Sequence, residues 1–242
     1  MPNQPNQRFR AEPSDEDRPG ERFFEQTAGQ PVPAQAKIAR ATVAIARTQE
    51  RYRDLKTIYA ITKEAIDHLG GIAAFVQPGQ SVLIKPNQTG AFLADEGMTT
   101  DPRLVAALVR LCREAGARRV SIAEGSGMDD TMVVMRVTGM TAAARAAGAE
   151  VISFDDCQYR EVEIPQGKAI RRIALPVPLL DADVIINACK GKTHHMDPIT
   201  GALKNWVGVI GLNRGRQQHH DAHCFAEYVD IMSVELSRKR QL

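Results

Sequence analysis

The sequence predicts an α/β fold of three layers, in which a mostly parallel β-sheet carries helices on both faces. Short apolar runs that suit buried strands alternate with longer segments whose apolar side chains recur every three or four residues. Such alternation is typical of βαβ units, whose parallel sheets are covered on both sides. The 242 residues are 43% hydrophobic and 25% charged, which is enough apolar material for one substantial core.

Apolar runs supply the predicted strands. They occupy residues 41–46, 81–85, 118–124, 150–154 and 181–188, and the segments REVEIP and KAIRRIALP within residues 160–176 suit a hairpin. The predicted helices lie between these strands, at residues 55–76, 102–115 and 130–148. Asp101 suits the N-cap of the second helix, Pro102 its first turn and Gly116 its end.

The two ends of the chain differ from its centre. Residues 1–38 are rich in Pro, Gln, Glu, Asp and Arg and poor in apolar side chains, so we expect a disordered tail there. Residues 39–242 then form the predicted α/β domain. Its last residues, SRKRQL, follow an amphipathic segment without a further strand or cap, which predicts a domain that is incomplete at its C-terminus.

Charge and cysteine usage exclude several classes of protein. Lys+Arg 31 against Asp+Glu 29 provides no broad attraction to nucleic acid or to an anionic membrane. The sequence contains neither the apolar core of a signal peptide nor an apolar run long enough to span a bilayer. The four cysteines are far apart and lack the spacing of zinc or iron-sulfur ligands. We therefore expect a soluble, cytoplasmic protein with no iron-sulfur cluster of its own.

Polar segments follow three of the predicted strands. They are KPNQTG from Lys85, EGSGMDDT from Glu124 and CKGKTHHMDPITGALKN from Cys189. In open parallel sheets, ligands bind beyond the carboxyl ends of the strands. The sequence therefore predicts a site at one edge of the sheet, to which all three segments contribute.

The third segment carries most of the predicted chemistry. Its lysines and histidines suit an anionic small molecule, because Lys190, Lys192 and Lys204 can hold an anion while His194 exchanges protons near neutral pH. We predict His194 and Lys192 as catalytic residues, with Lys85 joining the anion-binding lysines. The alternatives are a solvated loop for this segment and an exposed surface lysine for Lys85.

Other polar residues of these segments suit a phosphate or a divalent metal. Ser126 belongs to a small-residue loop whose backbone amides suit a phosphate, although its neighbouring acids oppose an anion and a turn followed by an N-cap explains it equally well. Four residues are candidate metal ligands, namely His195, Asp197, His219 and His223. Cys189 suits either a reactive thiol or a buried cysteine at the end of a strand, and the buried cysteine is the commoner case.

Three blocks of the sequence follow one another between Val82 and Gly211, namely VLIKPNQ, TTDPRLVAALVRLCREAGARRVSIAEGSG and KTHHMDPITGALKNWVGVIG. Together they resemble family 362 of the domain-of-unknown-function series (DUF362), over roughly residues 41–228. The resemblance implies an α/β domain, alone or joined to a ferredoxin-like module with four-iron clusters, and an activity that is largely unassigned. It also implies recurring polar positions at Lys85, Asn87, Asp101, Lys192, His194, Lys204 and Asn205. Asn87 and Asn205 thereby join the predicted ligand-binding residues.

The sequence leaves three functions open. The first is an enzyme-like site for an anionic small molecule, with or without a metal. The second is a non-catalytic module that docks an iron-sulfur redox partner through the same basic edge. The third is an inactive fragment, since members of the resembled family usually continue beyond the point at which this chain ends.

Overall fold

A parallel β-sheet forms the centre of the fold. The structure is a computed structural model that describes residues 41–49, 54–194, 199–210, 231 and 240–241. Within these ranges the sheet has five strands in the order β3-β2-β1-β6-β7, and a separate antiparallel hairpin joins β4 to β5. The strands are β1 Ser81–Pro86, β2 Arg119–Glu124, β3 Glu150–Ser153, β4 Tyr159–Glu163, β5 Arg172–Pro176, β6 Val184–Ala188 and β7 Arg240–Gln241.

Helices flank the sheet, which confirms the predicted α/β class. They are α1 Leu55–Asp67, α2 Pro102–Glu114, α3 Thr131–Val137, α4 Met140–Ala146 and α5 Val177–Asp181, with 3₁₀ turns at Ile72–Ala74, Ala94–Glu96 and Lys204–Val209. The helix starts follow from local chemistry, since Asp101 accepts a hydrogen bond of 2.8 Å from the Arg103 amide and Pro102 opens α2. No helix within the described ranges combines the length and hydrophobicity that crossing a bilayer requires.

The core has two parts, one on each face of the sheet. Successive residues of β1 alternate between them, so that Val82 and Ile84 join the first cluster and Leu83 joins the second. The first cluster packs the sheet against α1, α2 and α4. The second packs it against the β4–β5 hairpin, α5 and the 3₁₀ turn at Lys204–Val209, and it includes Trp206 and Val209.

The prediction of a first strand at residues 41–46 is wrong. Residues 41–49 have no regular secondary structure, and Val43 and Ile45 are exposed rather than buried. Their alternation of β-branched and small residues favours a strand only where a sheet edge and a core surface receive it. Neither is present for this segment in the described part of the chain.

Glycines shorten two of the predicted helices. The helix expected over residues 55–76 ends at Asp67, because Gly70 and Gly71 adopt positive φ angles of 99° and 81°. The helix expected over residues 130–148 is divided at Gly139, whose φ is 79°.

The predicted hairpin is confirmed, with Val162 opposite Ile173 in antiparallel register. The tail predicted at residues 1–38 and most of the predicted C-terminal helix lie outside the described residues.

Candidate functional site

The predicted polar residues that the structure describes lie at the carboxyl edge of the sheet, where the strand order reverses. Strands β2 and β3 extend the sheet from one edge of β1, whereas β6 pairs in parallel with its other edge. Lys85 is opposite Asn187 in this pairing, and Pro86 is opposite Ala188. Open α/β sheets bind ligands in the crevice at such a reversal. The segments that begin at Lys85 and Lys190 both leave the sheet there.

Lys85 is fully buried in an ion pair. Its Nζ lies 2.6 Å from Oε1 of Glu124, and the two residues are 0% and 2% exposed. Glu124 also accepts hydrogen bonds from the backbone amides of Gln88, at 3.1 Å, and Gly125, at 2.8 Å. The alternative of an exposed surface lysine is therefore wrong. Anion binding by Lys85 stays a prediction, and Glu124 reduces the charge that Lys85 offers to a ligand.

Asn205 joins the turn at Lys204–Val209 to the two central strands. Its Nδ2 donates to the carbonyl oxygens of Lys85 and Pro86, at 3.3 and 3.2 Å, and to Oδ1 of Asn187 at 2.8 Å. The side chain is 4% exposed. Asn187 in turn donates to the Ala202 carbonyl at 2.9 Å. Asn205 thus fixes the turn at Lys204–Val209 against strands β1 and β6. Its contact with a ligand stays a prediction.

Lys192 joins the loop after β6 to the loop after β1. Its Nζ donates to Oδ1 of Asn87 at 2.8 Å and to the carbonyl oxygen of Met98. Its backbone forms an antiparallel bridge with Thr200, which closes the polar segment on itself. Burial lowers the pKa of Lys192, and the positive charges of Lys190 and Lys204 lower it further. The three lysines therefore concentrate positive charge at this point of the edge.

Lys204 lies against His194. The turn at Lys204–Val209 buries Lys204 to 5% exposure, and its Nζ is 3.2 Å from Nδ1 and 3.0 Å from Nε2 of the imidazole. A ring nitrogen that accepts a hydrogen bond from an ammonium group carries no proton of its own, and the tautomer decides which of the two nitrogens accepts here. The geometry therefore fits the neutral imidazole, which can act as a base.

Ser126 occupies a closed turn. It is 1% exposed, its amide donates to Oγ1 of Thr131 at 2.7 Å, and its hydroxyl donates to the Thr89 carbonyl at 3.1 Å. Asp130 caps α3 by accepting a hydrogen bond of 2.8 Å from the Val133 amide. This arrangement matches the turn followed by an N-cap, so phosphate binding by Ser126 has no direct support from its contacts.

Metal binding and thiol chemistry receive no support from the described residues. His195, Asp197, His219 and His223 lie outside them, so their predicted metal ligation stays a prediction. Among the residues that are described, no three His, Cys, Asp or Glu side chains form a group that could hold a metal ion. Burial raises the pKa of the Cys189 thiol, which favours the structural alternative over a reactive nucleophile.

Sequence reasoning missed the buried partners of the site. Glu124 is one of the acids near Ser126 that predict repulsion of an anion unless a divalent metal intervenes, and the predicted site includes neither Asn187 nor Thr100. Thr100 ties the loop after β1 to β6, because its hydroxyl donates to the Ala188 carbonyl at 2.7 Å and accepts from the Asn87 amide at 2.9 Å. A polar residue within an otherwise apolar strand, such as Asn187 in VIINA, was the available signal.

Two comparisons with known proteins are informative. A family model described as "Domain of unknown function (DUF362)" matches residues 82–238. A thylakoid-associated protein of Synechocystis sp. is 25% identical over 197 residues, which are 81% of this chain. The chain covers 59% of the length of that relative.

Proposed function

This chain belongs to domain-of-unknown-function family 362, as its three sequence blocks predicted, and we propose that its site binds an anionic small molecule in the manner of an enzyme. The family description assigns no activity, so the proposal depends on the side chains at the carboxyl edge. The proposal is made for this chain alone and not for the whole Synechocystis relative, of which the chain covers 59%.

One observation carries the proposal, namely the convergence of Lys190, Lys192 and Lys204. Burial lowers the pKa of Lys192, and the nearby charges of Lys190 and Lys204 lower it further against the opposing charge of Glu124, so holding all three lysines as cations costs free energy. A bound anion would relieve this repulsion and would accept charge-assisted hydrogen bonds. Burial of Lys204, at 5% exposure, strengthens such contacts because little water screens them.

His194 is the proposed acid or base of the site. The contact of 3.0 Å between its Nε2 and the Lys204 ammonium favours the neutral imidazole, which can take a proton from a ligand held by the lysines. Lys192 is proposed to orient the anion beside it. A divalent metal held by His195, Asp197, His219 or His223 remains part of the proposal.

Binding to simple anions tests the proposal. Titration calorimetry with inorganic phosphate, pyrophosphate and citrate should detect binding of at least one of them to the wild-type chain. Lys192→Met and Lys204→Met should each weaken that binding about 10- to 100-fold, because each removes a charge-assisted hydrogen bond worth about 1.5–3 kcal/mol. Lys63→Met is the matched control, since Lys63 is paired with Asp67 on the solvent-facing side of α1 and its loss should not change the affinity.

His194→Ala should leave folding intact and remove turnover once a substrate is known. Equal binding of all three anions to wild type and to both lysine variants, or no binding at all, would contradict the proposal. A steep loss of partner binding between low and physiological salt, together with no anion binding, would instead favour docking of an iron-sulfur partner.

The proposed cellular location is the cytoplasm. The name of the Synechocystis relative assigns it to the thylakoid, and cell fractionation of the organism that produces this chain would distinguish the two locations.

A further inference from the structure

The buried ion pair of Lys85 and Glu124 lies beneath the turn that carries Lys204. At 2.6 Å the two charges neutralise each other, and neither side chain reaches solvent. Buried charges of this kind are expensive unless each is paired. Because a buried ion pair contributes little net stability, we looked to the neighbouring cations at the carboxyl edge for its role.

Gly208 is the residue of the turn that meets this pair. A Cβ atom at Gly208 would overlap Oε1 of Glu124 and would lie 2.8 Å from Nζ of Lys85. The backbone of Gly208 is not in the left-handed region, so glycine is required by the space available and not by φ. The turn is thus packed directly on the ion pair, with no room for a side chain between them.

Asn205 holds the same turn from the backbone side of Lys85. Its amide group donates to the carbonyl oxygens of Lys85 and Pro86, at 3.3 and 3.2 Å. The side chain of Lys85 therefore contacts the end of the turn at Gly208, while its carbonyl anchors the start at Asn205. Lys204 precedes Asn205 directly, and its Nζ lies 3.0 Å from His194.

We propose that Glu124 is a further positioning residue of the site, which fixes Lys85 beneath Gly208 and so sets Lys204 against His194. This inference rests on the proposed anion site, whose geometry it explains. Glu124 also acts through charge, because its carboxylate favours the cationic form of Lys192 and partly offsets the effects that lower the pKa of that lysine.

A pair of glycine substitutions tests the inference. Gly208→Ala should push the turn away from Glu124 and weaken binding of the tightest anion among phosphate, pyrophosphate and citrate at least about tenfold, in line with the loss of one charge-assisted contact. Gly201→Ala is the matched control, since a Cβ there meets nothing within 4 Å and should leave the affinity unchanged. Near-ultraviolet circular dichroism of Trp206, the single tryptophan of the chain, should change in the Gly208 variant alone.

A second variant covers the case in which Gly208→Ala does not fold. Lys85→Met with Glu124→Met replaces the ion pair by apolar side chains of similar size, a change that folded proteins tolerate. It should weaken anion binding about tenfold or more. The contact between Lys204 and His194 supplies the second readout, because the proposal makes it depend on the pair. The His194 ring resonances in nuclear magnetic resonance spectra should shift in the double variant and in Gly208→Ala, but not in Gly201→Ala. A purely structural role for the pair would leave these resonances unchanged.

The outcomes separate the two proposals. If wild type binds none of the three anions, the proposed function fails. If wild type binds an anion and either folded variant binds it with the same affinity and the same His194 resonances, the positioning role of Glu124 is overturned while the anion site stands.

Discussion

At the scale of single residues, the least expected feature is a lysine that points away from water. Lys85 follows the buried run VLI in β1 and stays buried because Glu124 ends the neighbouring strand β2. Each charge compensates the other, and backbone amides of Gln88 and Gly125 complete the hydrogen bonding of the carboxylate. The stability of this region should therefore depend on having both partners or neither.

Lys85→Met alone should lower the free energy of unfolding by about 3–5 kcal/mol, because it leaves the Glu124 carboxylate buried without its cation. Adding Glu124→Met should recover most of that loss. Urea unfolding of wild type, both single variants and the double variant measures the coupling. Lys63→Met, which breaks an exposed pair, should cost less than about 1 kcal/mol. Additive losses in the double variant would contradict the expected coupling.

At the scale of elements, helix α2 shows how a cap links the fold to the site. Asp101 starts the helix and holds the Arg103 guanidinium, with Oδ2 at 2.7 Å from Nη2. Burial would raise the pKa of Asp101, but hydrogen bonds from Arg103 and the charges of Arg103 and Lys190 outweigh it and lower the pKa. The same carboxylate thus caps α2 and faces the basic edge.

The lowered pKa of Asp101 predicts a pH-dependent contribution to stability. A carboxyl group whose pKa is lower in the folded state stabilises the protein above its unfolded pKa, and that contribution is lost as the pH falls through the folded value. Asp101→Asn keeps the cap but removes the charge, so it should cost about 0.3–1 kcal/mol at neutral pH and progressively less below about pH 4. Thermal unfolding as a function of pH measures this.

The control for Asp101 is Asp95→Asn. Asp95 lies 3.9 Å from the same Arg103 side chain but is 99% exposed, so its replacement should change stability little at any pH. A cost for Asp101→Asn that does not vary with pH would argue against the ionised carboxylate as its source.

At the scale of the whole molecule, the sheet separates two cores that depend on the same strands. Helices cover the first cluster, whereas the β4–β5 hairpin and the turn at Lys204–Val209 close much of the second. The hairpin pairs with no strand of the main sheet among the described residues, and burial of side chains such as Leu175 joins it to the fold. The face beneath the site therefore relies on packing more than on strand pairing.

Leu175→Ala in the hairpin should destabilise the protein as much as Leu111→Ala in α2, by about 2–5 kcal/mol each. Both side chains are fully buried, at 0% and 2% exposure, and each change leaves a cavity against the shared sheet. Val133→Ala, at a site that is 44% exposed, should cost less than about 0.5 kcal/mol. Chemical denaturation measures all three, and a small loss for Leu175→Ala would show that the hairpin is dispensable.

Much of the fold could be predicted from the sequence, because the alternation of apolar strands with amphipathic helices is a local property. The carboxyl edge could be located for the same reason, since Lys85 and Lys190 each follow a recognisable strand. The one predicted strand that proved wrong also rested on a local pattern, and no neighbouring strand or core surface of the described structure receives it. Val43 and Ile45 have strand-forming side chains, yet the described sheet offers them no edge.

By itself, the sequence determined the α/β class, the order of the main elements from α1 to β6 and the strand ends at which Lys85 and Lys192 lie. Only the tertiary structure decided which of these residues are paired and which are buried. Glu124 and Lys85 are 39 positions apart, and Asn205 bonds the Lys85 carbonyl across 120 positions. Such contacts depend on how strands and turns pack in three dimensions, and periodicity along the chain carries no information about them.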